Sequence, residues 1–242
     1  MNPPAAPADR KRRWLLPLTL AGVALTASLC AWQLDRAGQK RALEAAITQR
    51  ASAAALDNAG LAAEGAQALH RRVRLQGHWL AERSVWLENR PMDGRVGFFL
   101  VTPLQLRGRA EAVLVQRGWA PRDPADRSRL PALADEAGEI VIEGRMAASP
   151  SRLYQLGEAG RGRIRQNLDP AAYARETGLT LLPLTVLQAS HEGATPGLQR
   201  DWPAPAVDLH KHYGYAAQWA ALSVLQLGLY VWFQVLRPRR AR

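Results

Sequence analysis

Two long apolar segments lie near the ends of the chain. Residues 14–32 run for about 19 positions without a charged side chain, and residues 213–236 for about 24. A helix of either length can cross the roughly 30 Å of hydrocarbon in a lipid bilayer. Trp and Tyr residues lie toward the edges of both segments, where aromatic side chains anchor membrane helices. The pattern therefore predicts two transmembrane helices, one over each segment.

The segment after Trp32 has a different pattern. Apolar residues recur there at helical spacing among charged ones as far as Arg50, which predicts that the first helix continues beyond the membrane. Residues 51–65 are rich in Ala and include Asn58 and Gly60. They are expected to form the end of this helix and a linker.

From His70 onward, short β-type runs alternate with turn residues, as in a small sheet domain. One short helix is predicted by Asp169 as N-cap, Pro170 at the first helical position and Gly178 as the stop. We therefore predict an α+β fold in which two transmembrane helices flank a mainly antiparallel β extracytoplasmic domain at residues 33–212. The predicted strands lie at residues 73–75, 85–87, 98–106, 111–119, 140–144, 163–166 and 181–188, with loops at 121–135 and 191–205.

Charge predicts the orientation of the two helices. The formal net charge is +11, and much of the excess lies at residues 10–13 and 237–242, directly beside the apolar segments. Such clusters stay on the cytoplasmic side, which favours membrane lipid over nucleic acid as the partner of this charge. Residues 1–13 and 237–242 are therefore expected in the cytoplasm, and residues 33–212 in the periplasm. Because no transit-peptide pattern is present, a bacterial inner membrane is favoured.

A cleaved signal peptide is the alternative interpretation of the first apolar segment, because a basic start followed by an apolar run fits both. The segment is long for a signal peptide, which favours an uncleaved anchor. Leu29 before Cys30 makes a poor lipoprotein box, whereas the small residues Thr26 and Ser28 leave ordinary cleavage open.

The sequence lacks the residue patterns of familiar enzymes. Its single cysteine, Cys30, lies inside the first apolar segment, so the extracytoplasmic part has no thiol for a disulfide, a copper pair or nucleophilic catalysis. No GxSxG, HExxH, P-loop or dinucleotide-binding motif is present. We therefore expect a protein that is not an enzyme.

Two histidines, His210 and His212, lie at the outer mouth of the second apolar segment. An imidazole there can ligate iron or copper, and a polar interfacial residue beside Tyr213 is the plainer interpretation. In a helix the two histidines point to opposite faces, so they would not share one metal. His212, Tyr215 and Trp219 are spaced at i, i+3 and i+7, which predicts an imidazole and two aromatic rings on one helix face.

Arg117, Gly118 and Trp119 end a predicted strand ahead of Pro121. The guanidinium can bind a carboxylate, the indole can stack and the glycine permits close approach, so the three suit a planar anionic ligand. A strand that closes into a turn explains the same pattern, with Trp119 in the core and Arg117 paired to an acidic residue.

Four segments, taken in order, resemble the SURF1 family of cytochrome c oxidase assembly factors. The two flanking apolar segments and the distances between the segments agree with that family as well, so the resemblance covers nearly the whole chain. The four segments are residues 72–79 (RVRLQGHW), 97–104 (GFFLVTPL), 113–121 (VLVQRGWAP) and 212–219 (HYGYAAQW).

The resemblance implies a protein that is not an enzyme and that assists insertion of haem a into the catalytic subunit of haem-copper cytochrome c oxidase. His212 takes the place of the family's histidine before the second transmembrane helix, which implies a transient haem a ligand with His212 on the metal. Arg117, Trp119, Tyr215 and Trp219 are then the expected further contacts of the haem. The expected partners are cytochrome c oxidase subunit I and haem a synthase.

Two other functions were weighed against this one. A scaffold that stabilises an oxidase assembly intermediate without binding haem fits the same residues. An envelope sensor is disfavoured, because the predicted cytoplasmic tails of about 13 and 6 residues are too short for a signalling domain.

Overall fold

The structure is a computed structural model in which the chain forms two compact units. The first comprises Met1–Ala46 and Pro205–Arg242, and the second comprises Ile47–Ala204. The residues described are 7–126, 128–132, 138–150, 152–154, 160, 162–189, 195–202 and 209–237, with side chains from residue 14 onward except at residue 209.

The described residues contain four α-helices and seven β-strands. The helices are α1 (Pro7–Ser52), α2 (Asn58–Glu64), α3 (Pro170–Thr177) and α4 (Leu209–Val231), with short 3-10 turns at Gly65–Ala68 and Ala81–Arg83 and a π-helical turn at Trp232–Leu236. The strands are β1 (Arg72–Trp79), β2 (Val85–Met92), β3 (Arg95–Leu106), β4 (Ala112–Pro121), β5 (Ile140–Ala147), β6 (Ile164–Arg165) and β7 (Leu181–Gln188).

Helices α1 and α4 are both long and apolar enough to cross a membrane, over Trp14–Ser52 and His210–Leu236. Many of their large apolar side chains are exposed, among them Leu18 and Val224 at 70 % each. A lipid-facing surface accounts for this exposure, because apolar side chains need no burial against protein within a bilayer. The unbroken course of α1 to Ser52 confirms that the first helix continues beyond its apolar segment.

The two long helices pack along one stripe of each. The least exposed positions of this stripe are Thr26, Gln33 and Ala37 on α1 and Ala216 on α4. Spacings of seven and four residues are those of a helix pair that packs like a coiled coil. A hydrogen bond of 2.7 Å joins Oγ1 of Thr26 to Oγ of Ser223 across the pair. Small and polar residues thus lie on the face where the two helices meet, as is common between membrane helices.

The second unit is built on one seven-stranded sheet in the order β1-β5-β7-β4-β3-β2-β6. Strand β1 also pairs with β3, so that β1, β5, β7, β4 and β3 close into a five-stranded barrel. Pairing is antiparallel except between β4 and β7 and between β2 and β6. The predicted class is therefore confirmed: two candidate membrane-spanning helices flank a mainly antiparallel β domain.

The barrel encloses the largest hydrophobic core. Gly77 lies where β1 meets β3 to close the barrel, and a Cβ atom there would be only 2.1 Å from the carbonyl oxygen of Gln105. Closure therefore depends on glycine at this position. The barrel strands bury Val73, Leu75, Leu104, Leu106, Val113, Val115, Ile142, Met146, Leu184 and Val186 in this core.

Residues 51–65 contain the predicted end of the first helix, at Ser52, but a second helix lies where a linker was predicted. Helix α2 begins after Asp57, whose side chain accepts a hydrogen bond from the backbone N–H three residues later. Leu61 is buried in the barrel core, and Asn58 donates to the carbonyl oxygen of Gln76 in β1 at 2.8 Å. The Ala-rich segment is helical because Asp57 caps it and the core buries Leu61.

Helix α3 has the ends that the sequence predicts. The carboxylate of Asp169 accepts a hydrogen bond of 2.8 Å from the backbone N–H of Ala172, and Gly178 is left-handed at φ +70°. Tyr173 is buried, and its hydroxyl donates to the carbonyl oxygen of Arg83. Through Tyr173, α3 packs against a second hydrophobic cluster, to which Val85 and Leu87 of β2 contribute.

The two predicted loops lie partly outside the described residues. The first predicted loop, residues 121–135, begins with the last residue of β4 and is irregular where it is described. Its residues 127 and 133–135 lie outside the described residues. Of residues 191–205, only 195–202 are described; they are irregular apart from one bridge to β4. The membrane boundaries at residues 14–32 and 213–236 stay predictions.

Candidate functional site

His212 lies in the first turn of α4, and its ring is bound to α1. The Nδ1 atom is 2.7 Å from Oε1 of Gln33, which is 8 % exposed. An amide oxygen only accepts hydrogen bonds, so Nδ1 is the donor, and in the neutral imidazole Nε2 then carries the lone pair. Metal-binding histidines usually have one ring nitrogen held in this way, which fixes the tautomer and the ring orientation. His212 can therefore offer Nε2 to a metal.

A cation lies beside Tyr213, the residue that follows His212. Arg41 of α1 donates from Nη2 to the hydroxyl of Tyr213, and its guanidinium lies 5.5 Å from the centroid of the Tyr213 ring. Tyr213 directly follows His212, so α1 and α4 bring an imidazole, a phenol and a guanidinium together at this end of the pair. We call Gln33, Arg41, His212 and Tyr213 the helix-mouth cluster. A guanidinium held in this way is suited to a carboxylate.

The two aromatic residues predicted on the face of His212 take different positions. Seven residues are close to two full turns, so Trp219 returns to the stripe that faces α1, where it is half-buried one turn after Ala216. Three residues fall short of a turn by about 60°, so Tyr215 lies beside the stripe and is 51 % exposed. Only Trp219 therefore shares the α1-facing stripe with His212.

Arg117 lies at a bulge in β4. Gly118 pairs with Leu100 and Gln116 with Val101, so Arg117 is the extra residue between them. Its side chain turns into the domain, since the residue is only 3 % exposed. The guanidinium lies 4.3 Å from the centroid of the Trp79 ring, and it donates a hydrogen bond to the hydroxyl of Thr195.

Trp119 is fully buried at the end of β4. Its Nε1 donates to the carbonyl oxygen of Arg90 at 2.8 Å, and its backbone exchanges two hydrogen bonds with Gln199. Gly118 has φ +154°, and a Cβ atom there would lie 2.7 Å from Cβ of Leu198. Glycine is required at position 118 for two reasons. L-residues rarely adopt this positive φ angle, and the backbone at Leu198 and Gln199 packs too closely to leave room for a Cβ atom.

The five predicted site residues fall into two groups. His212, Tyr215 and Trp219 belong to the first unit, whereas Arg117 and Trp119 belong to the second, where protein groups contact both side chains. A ligand could stack on Trp119 only after displacing the residues that cover it. The roles of all five toward a ligand stay predictions.

Two grooves on the described part of the chain could hold a ligand away from the predicted site residues. One, of about 680 Å³, lies on the second unit between the ends of β1 and β3, where Arg107 forms an ion pair of 2.9 Å with Glu139. The other, of about 490 Å³, lies between α1 and α4 and is lined by Gly22, Gln226 and Tyr230, among others. Neither groove is lined by a predicted site residue.

Comparison with known proteins decides the family. The sequence model of the SURF1 family matches residues 20–224. The chain belongs to the SURF1 family. A SURF1-like protein of Drosophila melanogaster is 23 % identical over 239 residues, covering 89 % of this chain and 75 % of that protein. A SURF1-like protein of Dictyostelium discoideum is 33 % identical over 66 residues, which are 27 % of this chain and 24 % of that protein. The family predicted from the sequence is confirmed.

Sequence reasoning missed two members of the helix-mouth cluster in this SURF1-family chain. Gln33 follows Thr26 by seven residues and Arg41 lies two turns further on, so helical periodicity could have placed both near one face of α1. Their partners could not be found in the same way, because Gln33 and His212 are 179 residues apart in the sequence.

Proposed function

We propose that this chain is a membrane-bound assembly factor for haem-copper cytochrome c oxidase, and that it assists haem a insertion into the catalytic subunit. Membership of the SURF1 family implies a role in cytochrome oxidase assembly. Haem a is then cargo, which the chain holds for a time and passes on. No catalytic step is assigned to the chain.

The observation that carries this proposal is the arrangement of His212. Its Nδ1 is engaged by Gln33, so the lone pair of Nε2 is available to an iron atom. One imidazole suits haem iron, since the porphyrin supplies four of the ligands. Within the described part of the chain, no three His, Cys, Asp or Glu side chains come together to hold a metal ion by themselves. The donor set therefore fits haem better than a bare ion.

The surroundings of His212 suit the rest of the haem. An amphiphilic porphyrin has an apolar ring and carboxylate groups, and it needs an apolar surface and a cation near the iron ligand. Trp219 offers an aromatic surface on the stripe of His212, and Arg41 is held at Tyr213 as a partner for a carboxylate. Tyr215 is exposed enough to contact a ring from the side.

We place the chain in a bacterial inner membrane with both termini in the cytoplasm and the β domain in the periplasm. The Arg clusters beyond the two apolar segments support this orientation. The helix-mouth cluster then lies at the periplasmic surface. A C-terminal fusion to alkaline phosphatase should be inactive and a fusion to green fluorescent protein should fluoresce; the reverse result would contradict the orientation.

Cytochrome c oxidase subunit I and haem a synthase are the proposed protein partners, with membrane lipid around α1 and α4. The contacts of Arg117 and Trp119 within the β domain favour a second candidate, a scaffold that stabilises an assembly intermediate without binding haem. Under the haem proposal, these two side chains contact the ligand only if the segment at residues 195–199 opens.

The test is the absorbance spectrum of the full-length protein purified from cells that make haem a. We expect wild-type protein to carry haem a with the spectral signature of an imidazole ligand on iron, and His212→Ala to lose that signature while still inserting and accumulating. His210→Ala is the matched control, because His210 is exposed one residue before Lys211, and its spectrum should equal that of the wild type.

The outcomes separate the two functions. A wild-type protein that carries no haem a, together with impaired oxidase assembly in a deletion strain, would support the scaffold. Loss of the spectrum in His210→Ala with retention in His212→Ala would show that the iron ligand is the other histidine.

A further inference from the structure

Across α1 and α4, the hydrogen bond between Gln33 and His212 orients a potential metal ligand. Gln33 is almost fully buried at 8 % exposure, and its Oε1 lies 2.7 Å from Nδ1 of His212. Burial restricts the amide, so the acceptor stays directed at the ring. Exchange of Gln33 for a residue without an acceptor would leave Nδ1–H unsatisfied at a poorly hydrated site, which favours the other tautomer or another ring orientation.

We infer that Gln33 is a positioning residue that holds His212 in the tautomer with a proton on Nδ1 and a lone pair on Nε2. The inference rests on the proposed haem-binding function. In this tautomer, Nε2 can form a bond to iron without releasing a proton. In the opposite tautomer, the Nε2 proton must first leave or move to Nδ1, which weakens binding. The amide oxygen also makes the imidazole more electron-rich through the Nδ1–H hydrogen bond.

The experiment compares variants of the full-length protein in detergent micelles, titrated with ferric haem a. Gln33→Leu removes the acceptor at similar size, and we expect its dissociation constant for haem a to rise about 10–100-fold. Gln33→Glu keeps an acceptor and makes it stronger. We expect this variant to bind haem a and to have a midpoint potential more negative than that of the wild type, because a more electron-rich imidazole favours ferric iron.

Thr26→Val is the matched control. It also removes a hydrogen bond between α1 and α4, the 2.7 Å contact with Ser223, but it lies seven residues from Gln33 and touches no metal ligand. Its haem a affinity and midpoint potential should equal those of the wild type. A double variant, Gln33→Leu with His212→Ala, should bind no more weakly than His212→Ala alone, since Gln33 acts through His212.

The outcomes distinguish this inference from the proposed function. If His212→Ala binds haem a as tightly as the wild type, the proposed iron ligand is wrong, whatever Gln33 does. If His212→Ala loses haem a while Gln33→Leu binds normally, the function stands and the role of Gln33 is overturned. Equal weakening in Thr26→Val and Gln33→Leu would also overturn it, because the effect would then come from helix pairing. Where Gln33→Leu fails to insert, Gln33→Glu decides alone, and an unchanged midpoint potential overturns the inference.

Discussion

The helix pair and the β domain differ in what their buried polar side chains do. Between α1 and α4, polar side chains of the two helices bond to each other, as in the hydrogen bonds of Thr26 with Ser223 and of Gln33 with His212. Each bond joins two elements in surroundings that offer few other partners. In the pair of Gln33 and His212, the hydrogen bond engages Nδ1 of the imidazole, and in the neutral ring Nε2 can bind a ligand.

In the β domain, buried cations are surrounded by protein. The guanidinium of Arg117 lies against Trp79 and binds Thr195, and that of Arg165 forms an ion pair with Glu176 at 2.5 Å. Such groups fix the positions of strands and loops. The comparison teaches that protein groups within the domain engage the side chains of Arg117 and Trp119, whereas the hydrogen bond between Gln33 and His212 engages one nitrogen of the imidazole.

The largest expected effect concerns Arg117. We expect Arg117→Ala to lower the free energy of unfolding of the β domain by about 3 kcal/mol, because it opens a cavity beside Trp79 and Thr195. Arg109→Ala should cost only about 0.5 kcal/mol, since Arg109 lies in an exposed turn and its ion pair with Glu111 is accessible to solvent. Urea unfolding followed by tryptophan fluorescence measures both changes.

Arg117→Met sharpens this result, because it keeps much of the length and packing of the side chain without the charge. If Arg117→Met is as stable as the wild type and still supports oxidase assembly, Arg117 is architectural. A stable Arg117→Met that fails in assembly would break the comparison and assign Arg117 to a ligand or a partner.

A smaller effect is expected at the helix pair. Thr26→Val should weaken the association of α1 with α4 by about 0.6 kcal/mol, the typical contribution of one hydrogen bond between membrane helices. Thr19→Val is the control, because the hydroxyl of Thr19 binds the carbonyl oxygen of Leu15 in its own helix. Denaturant unfolding of the helices in mixed micelles, followed by circular dichroism, measures the difference. A loss of several kcal/mol would mean that the pair depends on this one contact.

The smallest effect is a pH dependence from His70 in the β domain. Burial, assisted by the positive charges of Arg145 and Arg50, lowers the pKa of His70 below its ordinary value of 6.5. The unfolded chain therefore takes up this proton first, so the contribution of His70 to stability is present above pH 6.5 and is lost as the pH falls through the folded pKa. His70→Asn removes the titrating group and places there a residue that tolerates φ +71°. In this variant, the free energy of unfolding should therefore fall less steeply as the pH is lowered. Unfolding midpoints across this pH range measure the slope, and identical slopes would contradict the assignment.

Local sequence signals predicted many elements well. Asp169, Pro170 and Gly178 fixed both ends of α3, because capping and backbone geometry act within a few residues. The helical pattern after Trp32 predicted the extension of α1. At residues 51–65 the expected helix end was confirmed at Ser52, but the linker was wrong where α2 forms, since Leu61 gains a buried position only when the barrel is present.

The candidate site was predictable only in part. His212 and Trp219 were placed on one face by helical periodicity, which is a property of a single element. Their position relative to α1 was not predictable, and neither was the pairing of His212 with Gln33. The burial of Arg117 and Trp119 was not predictable either. A strand end with the sequence Arg-Gly-Trp can lie at the surface or in the core, and the sequence does not distinguish the two.

The sequence by itself determined the two apolar helices, most strand positions and the SURF1 resemblance, and its flanking charge predicts the orientation of the helices. These follow from interactions within a short stretch of chain or with a membrane. Tertiary structure alone decided the closure of the barrel by β1 and β3, the burial of Arg117 at a bulge, and the hydrogen bond that holds His212. Each of these joins residues far apart in the chain, and their contact depends on how whole helices and strands pack together.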